Sequence, residues 1–263
     1  MRVLFIGDVV GKTGRRMVAE HVPAMRKAHN IDLVIANGEN AAGGNGLTHD
    51  VLDELLSQGI DVLTSGNHIF DKKEVFQFID DVPHVLRPLN MPARTPGRGY
   101  VVVSPGSVPV AVVCLAGRAF MPFHYDDPFR VMDDLLDALQ GQVSAVVVDL
   151  HAETTSEKAA MAWYLDGRVA ALVGTHTHVQ TSDEQVLPGG TAFLTDLGMT
   201  GPADSVIGVK TDLVIQKMTT QMPVRFDTAH GRGQFGALLV DIDTARGQSL
   251  AVQRFFAREG TPT

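Results

Sequence analysis

Short apolar runs alternate with amphipathic segments along most of this 263-residue chain, and this alternation limits its fold more than any other feature. The apolar runs have the length of strands, and the segments between them have the periodicity of helices. Strands separated by helices predict a sheet with helices on both faces. Two β-rich pairs, at 100–116 and 233–256, are typical of hairpins and would add antiparallel strands, so the predicted fold is α/β with a mixed sheet.

The bounds of the predicted elements follow from the apolar runs and from capping residues. Thr48 is a suitable N-cap, and Gly59 a suitable end, for the second helix. Besides the two hairpins, strands are predicted at 2–6, 32–36, 61–65, 144–150, 170–173 and 191–195, and helices at 14–30, 48–59, 71–80, 127–139 and 156–165.

Length, charge and cysteine content limit the class of protein. The chain is long enough for one large domain or two small ones. A formal net charge of −8 argues against a protein that presents a basic face to nucleic acid or a membrane, although bound cations would still admit a small anionic substrate. The single cysteine, Cys114, lies in an apolar run and is expected in the core. No apolar stretch has the length of a membrane span, and the N-terminal one is too short for a signal peptide, so a cytoplasmic protein is expected.

Polar residues follow five of the predicted strands at the point where each strand ends. In open α/β sheets, binding sites form at the carboxyl ends of the strands. The groups are Gly7-Asp8, Asn37-Gly38-Glu39-Asn40, Gly66-Asn67-His68, His151-Ala152-Glu153 and Gly174-Thr175-His176-Thr177-His178. Each group alone has an ordinary explanation as a helix cap, a turn or a hydrogen-bonded residue at the edge of the core. Because five strand ends carry such groups together, they predict a metal site.

The ligand types indicate which metals could bind. His176 and His178 are two positions apart, and in an extended chain side chains at this spacing face the same side. Aspartate, glutamate, asparagine and histidine give a mixed oxygen and nitrogen shell, which suits iron, manganese or zinc. One aspartate, one glutamate, two asparagines and three histidines make seven candidate ligands, which is more than one ion needs. They would serve two ions bridged by a carboxylate, an arrangement that can clamp the attacking and leaving oxygens of phosphoryl transfer.

The same motifs resemble those of a known family. MRVLFIGDVVGKTGR, NGENAAGGNG, TSGNHIFD, LHAETTSEK and GTHTHVQTSDEQVLPGGTAFLTDLGMTGP are similar, in order and spacing, to the YmdB-like branch of the calcineurin-like metallophosphoesterases. The resemblance extends over essentially the whole chain and implies a single domain over 1–263. The implied fold is a metallophosphoesterase-type αββα sandwich, with mixed sheets flanked by helices.

Two departures from the broader superfamily affect the implied ligands. Val10 stands where the usual first motif has a histidine, and Gly38-Glu39-Asn40 replaces the usual bridging-aspartate motif. The resemblance implies that Glu39 bridges two metal ions and that Asn40 substitutes for the missing histidine. The implied first site is Asp8, Glu39, Asn40 and His178, and the implied second site is Glu39, Asn67, His151 and His176. On this assignment, the two histidines of the last motif bind different ions.

His68 resembles the catalytic acid of the family and directly follows an implied ligand. A histidine titrates near neutral pH and can protonate a leaving alkoxide. The implied mechanism is in-line attack of a metal-bridging hydroxide on a phosphodiester, with His68 as proton donor; the alternative is a hydrogen bond from His68 to phosphate only. Asp149 and Glu153 flank an implied ligand and are candidates for orienting an imidazole.

The resemblance implies a phosphodiesterase for small phosphodiesters such as 2′,3′-cyclic nucleotides, with two divalent or trivalent metal ions, iron first and manganese as the alternative. A phosphomonoesterase or nucleotidase on the same metal site, and a metal-containing regulatory protein that acts through a partner, stay open as alternatives. No stable binding to nucleic acid or membranes is expected, and a homo-oligomer is allowed. Two loops, 120–128 with His124 and 194–208, could shape the substrate pocket.

Overall fold

Two mixed β-sheets and five α-helices make up residues 1–260, the part of the chain that the computed structural model describes. The helices are α1 (Gly11–His29), α2 (His49–Ser57), α3 (Pro128–Leu139), α4 (Thr155–Tyr164) and α5 (Thr211–Thr220). The strands are β1 (Arg2–Ile6), β2 (Asp8–Val9), β3 (Leu33–Asn37), β4 (Val62–Thr64), β5 (Tyr100–Val103), β6 (Val110–Ala116), β7 (Ala145–His151), β8 (Ala171–Thr175), β9 (Gln185–Val186), β10 (Ala192–Leu194), β11 (Met199–Pro202), β12 (Gly233–Asp243) and β13 (Gln248–Arg258).

The first sheet has the strand order β2-β11-β12-β1-β3-β4, and β13 pairs with β12 as well. Its β1, β3 and β4 are parallel, whereas β12 runs antiparallel to β1. The second sheet has the order β5-β6-β7-β8-β10-β9, with β6, β7, β8 and β10 parallel. Because the parallel strands of each sheet end at one edge, the residues that follow them are gathered there.

Alternating side chains place each sheet between two apolar layers. In β1, Val3 and Phe5 belong to a core that β6 and β7 of the second sheet share, whereas Leu4 and Ile6 pack with α1 and α2. In β7, Val148 packs instead with α3 and α4. Each fully buried side chain of this size stabilises the fold by about 1.5–3 kcal/mol relative to an exposed one. The layers therefore follow the order helix, sheet, sheet, helix.

Local signals set several helix ends. The Thr48 hydroxyl accepts a hydrogen bond from the Val51 backbone N–H at 3.4 Å and begins α2, as predicted. Asp127 caps α3 in the same way, with Pro128 in the first turn. Asn30 ends α1 in the left-handed conformation, at φ 49°.

The αββα prediction and both hairpin predictions are confirmed, with β5 paired to β6 and β12 to β13. The prediction of a single sheet from the alternation is wrong, because the strands divide between two sheets. The predicted helix at 71–80 is a short 3-10 turn, Lys73–Gln77, and the segment 194–208 contains β11. Cys114 is buried in β6, as expected.

No helix within residues 1–260 combines the length and the apolar composition that a membrane span requires. The assignment of one domain to 1–263 stays a prediction, and its residues 261–263 lie outside the described part of the chain.

Candidate active site

The predicted site residues lie together where parallel strands of the two sheets end. The first sheet contributes the residues that follow β1, β3 and β4, and the second contributes those at the ends of β7 and β8. The residues brought together in this way are Asp8, Glu39, Asn40, Asn67, His151, His176 and His178. All of them are buried or half-buried, so the cluster lies in a cleft and not on an open surface.

His151 is the centre of one half of the cluster. Its Nε2 atom lies 3.0 Å from Glu39 Oε1, 3.1 Å from Asn67 Oδ1 and 3.0 Å from His176 Nδ1. The ligand atoms of Glu39, His151 and His176 lie within 4.8 Å of one another. These three residues could hold a metal ion.

Asp8 and His178 form the other half. His178 Nε2 lies 3.6 Å from Asp8 Oδ1 and 3.3 Å from Asn40 Nδ2. The Nδ1 atom of His178 donates to the Ile207 carbonyl at 2.8 Å, which leaves Nε2 directed at the cluster. Ile207 belongs to the segment 194–208, so that segment helps to orient a site histidine.

His178 and His176 differ in charge when no metal is bound. Burial acts to lower the pKa of His178, but the Asp8 carboxylate outweighs it and raises that pKa to about 9. Burial and the neighbouring His151 lower the pKa of His176 to about 4. At neutral pH, a metal that binds at His178 must therefore displace a proton, whereas His176 is already neutral.

The donor set fits a metal centre. Asp8 is buried, and its Oδ1 accepts no hydrogen bond among residues 1–260; the His178 ring, at 3.6 Å, lies beyond hydrogen-bond distance. A buried carboxylate oxygen without a hydrogen bond costs free energy, and a metal ion in direct contact would satisfy it. Mixed carboxylate, amide and imidazole ligands suit iron, manganese or zinc, but do not choose among them.

His68 lies beside the cluster without belonging to it. Its backbone N–H donates to Glu39 Oε2 at 2.9 Å, and its ring Nδ1 lies 2.8 Å from Asp71 Oδ2. Asn45 also donates to Asp71 Oδ2, at 2.9 Å, and fixes that carboxylate. The ring is partly exposed, and its Nε2 has no hydrogen-bond partner within 1–260, so it is available to a substrate. Asp71 was missed at the level of sequence, although its i+3 spacing from His68 was a usable signal.

Of the two residues considered as orienting partners, Glu153 contacts a site histidine directly. Its Oε2 lies 3.0 Å from His176 Nε2. Asp149 instead accepts a hydrogen bond from the Thr175 hydroxyl at 2.7 Å, and that hydroxyl lies 3.0 Å from His151 Nδ1. Asp149 therefore orients His151 through Thr175, a residue that the sequence pattern did not single out.

The extended geometry assumed for the last motif is wrong. β8 ends at Thr175, and the next residues His176 and His178 adopt positive φ angles of 99° and 65°. Their side chains do not face one point: His176 contacts His151, whereas His178 contacts Asp8. Positive φ is uncommon for residues other than glycine, and outside helix ends and turns it often marks a functional site.

A buried ion pair lies under this turn. Lys158 Nζ lies 2.6 Å from Asp196 Oδ2, and the side chains are 0% and 1% exposed. The same carboxylate oxygen accepts from the Thr177 backbone N–H at 3.2 Å, between the two histidines. The pair therefore connects α4 to the turn that carries His176 and His178. It was not predicted, because nothing local in either segment marks a buried lysine.

Two stacked mixed sheets, with metal-binding side chains gathered at the ends of their parallel strands, define the metallophosphoesterase class. Within that class the chain belongs to the YmdB-like protein family, whose model matches residues 4–255. This confirms the resemblance seen in the motifs.

Known proteins resemble nearly the whole chain. It is 46% identical to a protein of Bacillus subtilis (strain 168) named 2′,3′-cyclic-nucleotide 2′-phosphodiesterase, over 98% of each chain. A crystal structure of a hypothetical protein from Thermus thermophilus is 43% identical, with a TM-score of 0.93 over 98% of this chain and 100% of that one. A structure described as a novel phosphatase of Mycoplasma pneumoniae is 30% identical, with a TM-score of 0.92 over 98% and 93%.

Proposed function

We propose that this protein is a metal-dependent phosphodiesterase that hydrolyses small phosphodiesters, with 2′,3′-cyclic nucleotides as the substrate class. The observation that carries the proposal is the position of Glu39. One of its carboxylate oxygens lies 3.0 Å from His151, and the other accepts from the His68 backbone N–H at 2.9 Å. This buried carboxylate thus connects the metal-binding cluster to the residue best placed for proton transfer. The 46% identity to the B. subtilis phosphodiesterase supports the substrate class.

We assign two metal ions to the cluster, with Glu39 shared between them. The proposed first site is Asp8, Glu39, Asn40 and His178, and the proposed second site is Glu39, Asn67, His151 and His176. When bound, such ions supply Lewis-acid stabilisation of the phosphoryl oxygens and lower the pKa of a bound water. Iron is proposed first and manganese second, the order that the family resemblance implies; this mixed shell accepts both.

His68 is assigned as the proton donor to the leaving oxygen. The Asp71 carboxylate accepts the Nδ1 proton at 2.8 Å, so the ring is held in one orientation. In the imidazolium form the second proton lies on Nε2, and since His68 lines the cavity beside the cluster, this proton can pass to the departing ribose oxygen. After transfer the neutral ring can take a proton from solvent, because the side chain is 41% exposed.

Replacement of His68 by asparagine is expected to lower kcat by about 100-fold or more, which is the usual contribution of a general acid. Metal content should not change, because His68 is not a proposed ligand. The measurement is steady-state hydrolysis of 2′,3′-cyclic AMP together with metal analysis of both proteins. His84→Asn, a change at an exposed histidine that lines neither the cluster nor the cavity beside His68, serves as the control. Full activity of His68→Asn would reject the assignment of proton donor.

A phosphomonoesterase is the second candidate, because the M. pneumoniae structure is described as a phosphatase. The two functions are separated by comparing 2′,3′-cyclic AMP with adenosine 2′- and 3′-monophosphates under the same metal conditions. We expect turnover of the cyclic diester and accumulation of a monophosphate product. Faster release of inorganic phosphate from the monophosphates would favour the phosphomonoesterase.

Cellular setting and assembly also belong to the proposal. The acidic composition and lone buried cysteine support a cytoplasmic enzyme that acts on a small substrate, without stable nucleic-acid or membrane binding. A homo-oligomer is compatible with this setting.

A further inference from the structure

Several cavities open beside the metal-binding cluster, and two of them differ clearly in their walls. The first, of about 370 Å³, is called the aromatic cavity; its lining residues include Asn67, Phe70, Met91, Pro92, Phe123 and Tyr125. The second, of about 350 Å³, is called the polar cavity; its lining residues include Asn40, Gly43, Gly44, His68, His178 and Phe226. Both adjoin the cluster, so each could receive a part of the substrate.

The aromatic cavity has flat apolar walls. Phe70 lies on one side and stacks on Phe76, with ring centroids 5.1 Å apart. Phe123 lies on the loop 120–128 and meets the Tyr125 ring edge to face, at 6.1 Å. Phe123 is 51% exposed, so its ring is accessible to a ligand. A planar apolar group of a ligand would cover such a ring.

Both ends of the loop that carries Phe123 are anchored. Near its start, the Glu157 carboxylate accepts from the Arg118 and Ala119 backbone N–H groups at 2.8 and 3.1 Å. At its end, the Asn90 side chain, 0% exposed, donates to the carbonyl of Asp126 at 3.0 Å. Asn90 directly precedes Met91 and Pro92, so one residue connects two of the segments that line the cavity. The cavity is thus formed before a ligand arrives, which lowers the ordering cost of binding.

The polar cavity offers less aromatic surface on which a planar group could stack. Its floor is made of the proposed metal ligands Asn40 and His178 together with His68, and glycines line another part of it. These groups suit phosphate and ribose, and Phe226 is the single phenylalanine in this lining, against two phenylalanines and a tyrosine in the aromatic cavity, where a base has more aromatic surface to stack on. The polar residues Thr95 and His124 line the aromatic cavity and can hydrogen-bond the edge of a heterocycle.

We propose that the aromatic cavity is the subsite for the nucleobase of the substrate, with Phe123 as its stacking residue. This inference rests on the proposed function and makes it more specific: the preferred substrates are nucleoside cyclic phosphates, and cyclic phosphates without a base are poor ones. The position of the cavity beside Asn67 and Asp71 lets one molecule reach both the cluster and the aromatic walls.

The test compares two substrates and two matched variants. The substrates are 2′,3′-cyclic AMP and methyl riboside 2′,3′-cyclic phosphate, which replaces the base by a methoxy group. The variants are Phe123→Ala and Phe226→Ala, which remove phenylalanines of nearly equal exposure, 51% and 50%, from the two cavities. In Phe123→Ala, the preference in kcat/KM for the substrate with a base is expected to fall by about 10- to 100-fold, as for loss of a stacked base. In Phe226→Ala, the preference should not change.

The outcomes separate this inference from the proposed function. If native protein hydrolyses both substrates without preference, or if Phe226→Ala alone loses the preference, the aromatic cavity is not the base subsite, although the phosphodiesterase assignment stands. If native protein hydrolyses neither, the proposed function fails, and calorimetric titration with adenosine 3′-monophosphate decides the subsite. Weaker binding to Phe123→Ala than to native protein would support the subsite, and equal or absent binding would overturn it.

Discussion

Glu39→Gln is expected to abolish measurable turnover and to release bound metal. The substitution keeps the shape of the side chain but removes the charge that two metal ions would share. It also places an amide beside His151 Nε2, which lies 3.0 Å from the carboxylate in the native protein. Loss of metal stabilisation worth about 4 kcal/mol in the transition state corresponds to roughly a 1,000-fold lower kcat. Metal analysis and hydrolysis of 2′,3′-cyclic AMP measure the two effects together.

Glu153→Gln serves as the comparison for Glu39→Gln, because a smaller loss of metal binding and activity is expected for it. Glu153 contacts His176 at 3.0 Å, but its side chain is 50% exposed and it is not a proposed ligand. Loss of such an orienting contact costs about 10- to 100-fold in metal affinity or activity. If Glu39→Gln retained its metal and lost no more activity than Glu153→Gln, Glu39 would not be a bridging ligand. A cellular phenotype that survives Glu39→Gln despite lost metal would instead favour the regulatory alternative.

Lys158→Met is expected to destabilise the fold by about 3–5 kcal/mol, because it leaves the buried Asp196 carboxylate without its cation. For a chain of this size, a loss of that magnitude lowers Tm by roughly 6–20 °C. The variant should also bind metal more weakly, since Asp196 fixes the backbone between His176 and His178 through the Thr177 N–H. Thermal unfolding and metal titration at neutral pH measure these two effects.

An exposed ion pair provides the matched control. Arg232 and Asp204 lie 2.6 Å apart, the same distance as in the Lys158–Asp196 pair, but each side chain is 53% exposed. Arg232→Met should therefore leave Tm nearly unchanged. The double variant Lys158→Met/Asp196→Asn is expected to recover part of the lost stability, since it removes the unpaired charge and the amide oxygen can still accept one of the two backbone hydrogen bonds. Equal stability of Lys158→Met and Arg232→Met would contradict the role given to the buried pair.

The sequence predicted which residues approach the site better than it predicted how they are held. Asp8, Glu39, Asn67 and His151 follow or end apolar strands, and the carboxyl ends of parallel strands meet at one edge. This topological rule needs no knowledge of distances. It placed the residues correctly even though the strand pattern by itself predicted one sheet and not two.

What the sequence could not give depends on contacts between distant segments. Lys158 and Asp196 are 38 residues apart, and an amphipathic helix pattern treats a lysine as solvent-exposed. The left-handed conformation of His176 and His178 is imposed by partners on other strands, so a rule for extended chains failed there. The strands β2 and β11 also depend on a distant partner, since they pair with each other across most of the chain. With two and four residues, they are too short to show a periodicity in the sequence.

The most direct test of the central claim is turnover of 2′,3′-cyclic AMP by the purified full chain before chelation, after chelation and after reloading with Mn²⁺ or Fe²⁺. We predict hydrolysis to a nucleoside monophosphate by the metal-loaded protein, loss of turnover on chelation and recovery on reloading. Absence of turnover in protein that carries two metal ions per chain, or turnover that survives complete metal removal, would contradict this claim.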